Sequence, residues 1–300
     1  MSLKRLVQLP RMPALQPVPV MVCVFNELTE AFRDHGFRIV TIRDSIDEME
    51  DGGLIFLDDA AGRYLNKLDL YHAMASKCPN SVFICWYWMS DIRPFKYMIH
   101  TGENHTNLSA LCPQRQKYLA LPTFVPLLLR ANDHPSLIGT YPRNVVRDYC
   151  YMGSGKKVGW IPSKFSGIYH LVGRSGFMPY DERRQVYLSS MFAFAFQAGE
   201  NIRTGHLSQR IFEGLAYGCI TLCENKLAAD FTDGAVIYVS SPADLRAKMT
   251  YYLNNPELVI AQQQKGYEWV RQYGTNRLSI KHYLDKIGEL YDLSLLDESY

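Results

Sequence analysis

Met191-Phe192-Ala193-Phe194-Ala195-Phe196, then Ser208-Gln209-Arg210-Ile211-Phe212-Glu213-Gly214-Leu215-Ala216-Tyr217-Gly218, then Cys219-Ile220-Thr221-Leu222-Cys223 are the runs on which the fold turns. The outer two are apolar and of strand length. In the middle run Ile211, Phe212, Leu215 and Ala216 recur at helical spacing as one apolar stripe, with Ser208 placed to cap its start and Gly218 to close it. The stretch from Gly199 to Ser208 is polar and reads as a loop. Strand, helix and strand in this order make a parallel unit, because the helix carries the chain back to the starting edge of the sheet.

The alternation extends outward from there. Upstream, Tyr149–Met152 and Gly167–Val172 read as strands and Asp181–Ser189 as a helix. Downstream, Val236–Val239 reads as a strand, with helices at Pro242–Leu253, Glu257–Tyr273 and Leu278–Tyr291. The N-terminal half repeats the theme, with strands at Val18–Phe25, Phe37–Ile42, Gly53–Leu57, Ser81–Trp88 and Tyr97–His100, and helices at Glu27–His35 and Tyr64–Ser76. Between Asn132 and Arg147 the apolar period lapses into Asn, Asp, His, Pro and Gly, which is linker composition. The expected architecture is α/β with mostly parallel sheets in two halves of similar size.

Composition narrows the function. The chain has 300 residues, of which 47% are hydrophobic and 21% charged, so it has the apolar content for a packed core. Lys and Arg number 32 against 30 Asp and Glu, a balance that gives no polycationic surface for nucleic acid or anionic membrane. Seven Cys without a Cys-x-x-Cys pair argue against a disulfide framework and a structural zinc site. No signal peptide and no run of about 20 apolar residues is read, so the expectation is a cytoplasmic protein without an integral membrane contact.

The polar positions of the central stretch carry the chemistry. Arg210 and Glu213 stand three residues apart on the side of the helix away from its apolar stripe. An anion fits at the helix start, where unpaired N–H groups and the dipole favour negative charge and Arg210 adds its own. One turn deeper, a carboxylate can accept two hydrogen bonds from a ribose diol, which would lay a nucleotide along one helix. The same two residues also fit a surface ion pair on a purely structural helix. Gly153-Ser154-Gly155-Lys156 follows the Tyr149–Met152 strand, where a glycine turn admits a phosphate and Lys156 can neutralise it. The full phosphate-loop motif is absent, which argues against an ATPase, and no Gly-x-Gly-x-x-Gly supports NAD-dependent chemistry. In the N-terminal half, Glu103 after one strand and Asp58 and Asp59 after another are candidate bases, with His72 and His100 as outsiders. There is no Asp-x-Asp and no His-Glu-x-x-His, so no metal is expected.

The segment from Gly199 to Ile220 resembles the nucleotide-sugar-binding segment of glycosyltransferases built from two Rossmann-like domains facing a central cleft, the GT-B architecture. Exostosin-type transferases carry a similar Ser-x-Arg-x-x-Glu/Asp pattern followed by Gly-Cys-Ile. Glu200-Asn201 followed by His206-Leu207-Ser208-Gln209-Arg210-Ile211 is similar to a Glu-Asn … Tyr-Val-Thr-Glu-Lys-Ile segment of α1,3-fucosyltransferases. Here His206 replaces Tyr, Gln209 replaces Glu and Arg210 replaces Lys, and the lost acidic contact argues against a GDP-fucose donor. Thr101-Gly102-Glu103-Asn104 resembles a segment of fucosyltransferase-like N-terminal domains.

These resemblances imply an acceptor-binding domain at 1–140, a nucleotide-sugar-binding domain at 141–275, and a helix at 276–300 crossing back to the first. They imply donor contacts from Asn201, His206, Ser208, Gln209, Arg210, Glu213 and the Gly153–Lys156 turn. The partners are then a nucleotide-sugar donor and a glycan acceptor, with no cofactor. The exostosin-like pattern implies a UDP-sugar. A similarity to algal-virus capsid-glycan transferases implies a pentose donor such as UDP-xylose and, for a viral protein, the host cytoplasm. Inverting, metal-independent transfer is expected. The rival readings are a non-catalytic nucleotide-sugar- or glycan-binding protein of the same fold and a nucleotide-sugar epimerase.

Overall fold

The computed structural model describes residues 20–22, 31–40, 46, 49–57, 67–86, 97–102, 124–126, 144–153, 158–160, 163–171, 178–205 and 207–291. The chain forms two compact units, one of Met1–Leu128 with Ser279–Tyr300 and one of Leu129–Leu278. The boundary read from sequence, near residue 140, falls inside the second.

In the first unit, strands β1 (Val20–Val22), β2 (Arg38–Val40), β3 (Leu54–Leu57), β4 (Val82–Trp86), β5 (Tyr97–Gly102) and β6 (Phe124–Pro126) form one sheet in the order β2-β1-β3-β4-β5-β6. Every pairing in it is parallel. Leu54, Ile55 and Phe56, like Val82, Phe83 and Ile84, are buried in unbroken runs, as strands covered on both faces require. Helix α1 (Lys67–Lys77) buries Tyr71 and Met74. Where β3 and β4 begin, Asp51 accepts the backbone N–H and the side-chain amide of Asn80, both at 2.8 Å. Ser81 Oγ beside it accepts the N–H groups of Gly52 and Gly53 at 3.0 and 3.3 Å.

The second unit contains β7 (Arg147–Gly153), β8 (Gly167–Leu171), helix α2 (Tyr180–Leu188), β9 (Ser190–Phe194), α3 (Gly199–Thr204), α4 (Gln209–Ala216), β10 (Ile220–Cys223), α5 (Lys226–Phe231), β11 (Ile237–Tyr238), α6 (Pro242–Leu253) and α7 (Pro256–Tyr273). Its strands run in the order β11-β10-β9-β7-β8, again all parallel. Alternate residues serve opposite faces of the sheet. Tyr149, Tyr151, Phe192, Phe194, Ile220 and Leu222 join Leu245 and Met249 of α6 and Val259 of α7 in one core. Cys150, Met152 and Ala193 join Val186 and Tyr187 of α2 in the other. Cys150, Cys219 and Cys223 are buried thiols, and Cys219 Sγ donates to Tyr187 O at 3.2 Å.

Helix α4 lies close on the strands because position 214 has no side chain. A Cβ there would collide with Thr221 Oγ1 and stand 2.9 Å from Ala193 Cβ. The polar stretch read as a loop contains α3, whose end is set by Gly205 at φ 73°. The final helix, α8 (Asn276–Tyr291), buries Ile280, Tyr283, Leu284 and Ile287, and its residues from Ser279 onward belong to the first unit.

Candidate functional site

The second sheet fixes where a ligand can approach. From β7 the chain steps to β8 on one side, then crosses to β9 on the other, so the winding reverses between β7 and β9. In open parallel sheets that reversal opens a crevice beyond the carboxyl ends of the strands. Gly153 closes β7 there, residues 195–198 follow β9, and α4 begins after them.

Arg210 is anchored at this edge. Its Nη2 donates to Phe196 O at 2.8 Å, and its guanidinium carbon stands 5.9 Å from the centroid of the Tyr151 ring. Gly153 leaves the space that the guanidinium occupies. A Cβ at 153 would lie 2.9 Å from Arg210 Nη1 and 2.9 Å from Tyr151 Oη. Among the described residues, the buried Nε of Arg210 and the buried Nε2 of Gln209 have no hydrogen-bond partner. Buried donors without acceptors are groups that an incoming acceptor would satisfy, and a cationic one favours an anion. Ser208 does occupy the cap position of α4, but its side chain makes no capping bond to the helix. Its hydroxyl instead accepts a long hydrogen bond of 3.4 Å from Gln197 Nε2.

Glu213 is held by partners that the sequence reading did not name. It is 2% exposed and forms no surface pair with Arg210. Its Oε1 faces Arg183 Nη2 at 2.9 Å, and its Oε2 accepts from Tyr187 Oη at 3.2 Å. Arg183 is 21% exposed and covers an internal charge. Burial pushes the Tyr187 phenol well above its ordinary value, the Glu213 charge adds to this, and Arg210 and Arg183 oppose it. Tyr187 therefore remains a protonated donor.

A polar network that sequence reasoning missed joins the ends of β9 and β10. Asn225 Nδ2 donates to Gln197 Oε1 at 2.7 Å, and Gln197 N–H donates to Glu224 Oε1 at 2.9 Å. Asn225 also caps α5 by accepting from Leu227 N–H at 3.1 Å. Gln197 and Asn225 are both buried. The signal that could have found them is their position just past apolar strands, where polar side chains face the crevice.

The expected site residues divide accordingly. The structure brings Gly153, Ser208, Gln209 and Arg210 to one edge and places Glu213 one turn further along α4, while Asn201 lies in α3, partly buried. Ser154, Gly155, Lys156 and His206 lie outside the described residues, as do Glu103, Asp58 and Asp59. His72 is exposed on α1. Among the described residues no group of three or more His, Cys, Asp or Glu could hold a metal ion. No described helix is long and apolar enough to cross a membrane.

Two Rossmann-like units in one chain can be compared with solved structures. An α-glucosyltransferase in complex with UDP and a 13-mer DNA containing an HMU base aligns over 90% of this chain and 98% of its own, at 10% identity and a TM-score of 0.52. The fold is GT-B. Sucrose-phosphate synthase from Thermosynechococcus elongatus aligns over 92% of this chain and 98% of its own, at 10% identity and a TM-score of 0.48. The glycosyltransferase SnogD from Streptomyces nogalater covers 92% and 99%, at 9% identity and a TM-score of 0.35. Residues 146–285, just under half of the GT-B chain, match the family model described as glycosyl transferase-like. No curated protein matches the sequence. The family match contains the whole edge built from Gly153, Phe196, Arg210 and Glu213.

Proposed function

We propose that the chain is a glycosyltransferase that moves a sugar from a nucleoside-diphosphate donor, a UDP-sugar, to a glycan hydroxyl, without a metal ion and with inversion at the anomeric carbon. The observation that carries this is the Arg210 guanidinium at the sheet's reversal point, anchored at two places and left with an unpartnered Nε–H. The diphosphate sits against Arg210, Gln209 and the first turn of α4. Its ribose reaches Glu213, whose carboxylate Tyr187 and Arg183 hold.

In the reaction, the acceptor oxygen forms a bond to the anomeric carbon as the bond to the diphosphate breaks. The acceptor's proton passes to a carboxylate of the N-terminal half, Glu103, Asp58 or Asp59. Negative charge grows on the leaving diphosphate, and fixed donors that meet it there lower the barrier. The match to a glycosyl transferase-like model over 146–285 supports this reading. The UDP in the similar α-glucosyltransferase favours uridine as the base.

The test is a thermal-shift panel of UDP, GDP, ADP and CMP, since a ligand that binds the native state raises apparent stability. It is followed by donor turnover with UDP-sugars, UDP-xylose among them, in the presence of EDTA. The reading expects the largest shift from UDP and turnover that survives chelation. No shift from any diphosphate would overturn it.

A further inference from the structure

One peptide group at the end of β9 meets opposite charges on its two sides. The parallel ladder between β9 and β10 still holds at Ala195, whose N–H donates to Leu222 O at 2.9 Å. Two residues on, the same register would bring Gln197 N–H to the backbone carbonyl of Glu224. It meets the Glu224 side chain instead, donating to Oε1 at 2.9 Å. The carbonyl of that same peptide belongs to Phe196, and it accepts from Arg210 Nη2 at 2.8 Å. A carboxylate and a guanidinium are thus joined through the Phe196–Gln197 peptide.

Both bonds are charge-assisted, the shorter and stronger kind, and bonds in a chain polarise one another. The Gln197 side chain holds the same residue from other directions. Its Oε1 accepts from Asn225 Nδ2 at 2.7 Å, and its Nε2 donates to Ser208 Oγ at 3.4 Å, at the start of α4. Satisfying one N–H where strands part needs no charge, since water can do it. A carboxylate close to a site for an anion also repels that anion. We propose that Glu224 is a positioning residue for Arg210: through the Phe196–Gln197 peptide it fixes the guanidinium so that its Nε edge faces the donor diphosphate. The inference rests on the reading that the diphosphate sits against Arg210.

The experiment measures Kd for UDP and inorganic pyrophosphate by calorimetry on the full-length chain, together with melting midpoints. It compares wild type with Glu224→Ala, Glu224→Asp, Glu224→Gln, Arg210→Ala and the double variant Glu224→Ala, Arg210→Ala. Repulsion alone would make loss of Glu224 tighten the binding of an anion. The positioning role has the opposite sign: Glu224→Ala should weaken both ligands by about fivefold or more, within the coupling range of neighbours in one network. Glu224→Asp keeps the charge but is a methylene too short for the N–H, so it should weaken them similarly. Glu224→Gln keeps an acceptor oxygen and should bind within about twofold of wild type. With Arg210 already replaced, Glu224→Ala should change either affinity by less than about twofold, because the group it positions is gone. Tightening or no change in Glu224→Ala, or an equal loss in the Arg210→Ala background, would overturn the positioning role and leave the diphosphate reading standing. If Arg210→Ala itself leaves both affinities unchanged, the diphosphate reading fails and this inference with it. Glu224→Asp and Glu224→Gln read the same contrast even if Glu224→Ala folds poorly.

Discussion

Each unit opens with a strand, β1 or β7, whose neighbours are the next strand on one side and the third on the other, so the two sheets share one winding pattern. The residues at the carboxyl ends differ in sign. At the end of β7 stands Gly153, and after β9 the carbonyl that anchors Arg210, a cationic edge. After β3 the sequence reads Asp58-Asp59, and after β5 it reads Glu103. The same winding therefore occurs twice, and the proposed function divides the chemistry between the halves by their side chains, the diphosphate against the cationic edge and proton acceptance on the acidic residues. Fold supplies the location and residues supply the chemistry.

The comparison breaks first at the acidic side, where the largest effect is expected. One of Glu103→Gln, Asp58→Asn or Asp59→Asn should lower kcat by about 10²–10⁴-fold, the range for losing a general base. Steady-state transfer assays check this, and three variants with wild-type kcat would remove the acid–base half of the account. At the cationic side, Arg210→Ala should cost roughly 2–4 kcal/mol of transition-state stabilisation, and Arg210→Lys should recover only part, because a point charge replaces a planar fork.

A smaller change sharpens the same edge. Gly153→Ala puts a methyl group about where the guanidinium now lies, so Arg210 must shift by a few tenths of an ångström or more. A loss of roughly tenfold in kcat/KM is expected from such a misplacement. The melting midpoint should move little. A large drop in stability with intact activity per folded molecule would make Gly153 a packing residue only.

The smallest effect belongs to the first unit's far end, away from either chemistry. Burial pushes the Asp51 carboxyl up, but hydrogen bonds from Asn80, Gly52 and Ser81 outweigh it and hold it below its ordinary value. A depressed carboxyl contributes stability that is present above its unfolded value, near about 3.9, and is lost as pH falls through the folded value. Asp51→Ala should lower stability by about 0.5–1.5 kcal/mol at neutral pH and flatten the acid limb of the melting curve. Equal melting of variant and wild type at neutral and at acid pH would contradict the clamp.

Much of this architecture was legible because buried parallel strands are apolar runs and amphipathic helices repeat at their own period. Helix α6 was read at its observed bounds, and β3, β8 and β10 within a residue. Elements whose signals are weak escaped. β6 is three residues long, α5 is six, and α3 is a polar six-residue helix between glycines that reads as a loop. In the site, Arg210 was legible from its place at a helix start. The true partners of Glu213 were not, because Arg183 lies 30 residues away and a helix rich in Asp, Glu and Arg does not announce which face is covered. Tyr151, Gln197 and Asn225 were missed because aromatic and amide residues in strands and loops give no periodic signal of their contacts.

Titration of UDP into the wild type, Arg210→Ala and the Asp58→Asn, Asp59→Asn and Glu103→Gln variants tests the division of labour most directly. The account predicts that Arg210→Ala weakens UDP by roughly tenfold or more, the loss of a charge-assisted contact, while the three carboxylate variants bind UDP within about twofold of wild type. UDP affinity that is indifferent to Arg210, or that depends on the carboxylates instead, would contradict it.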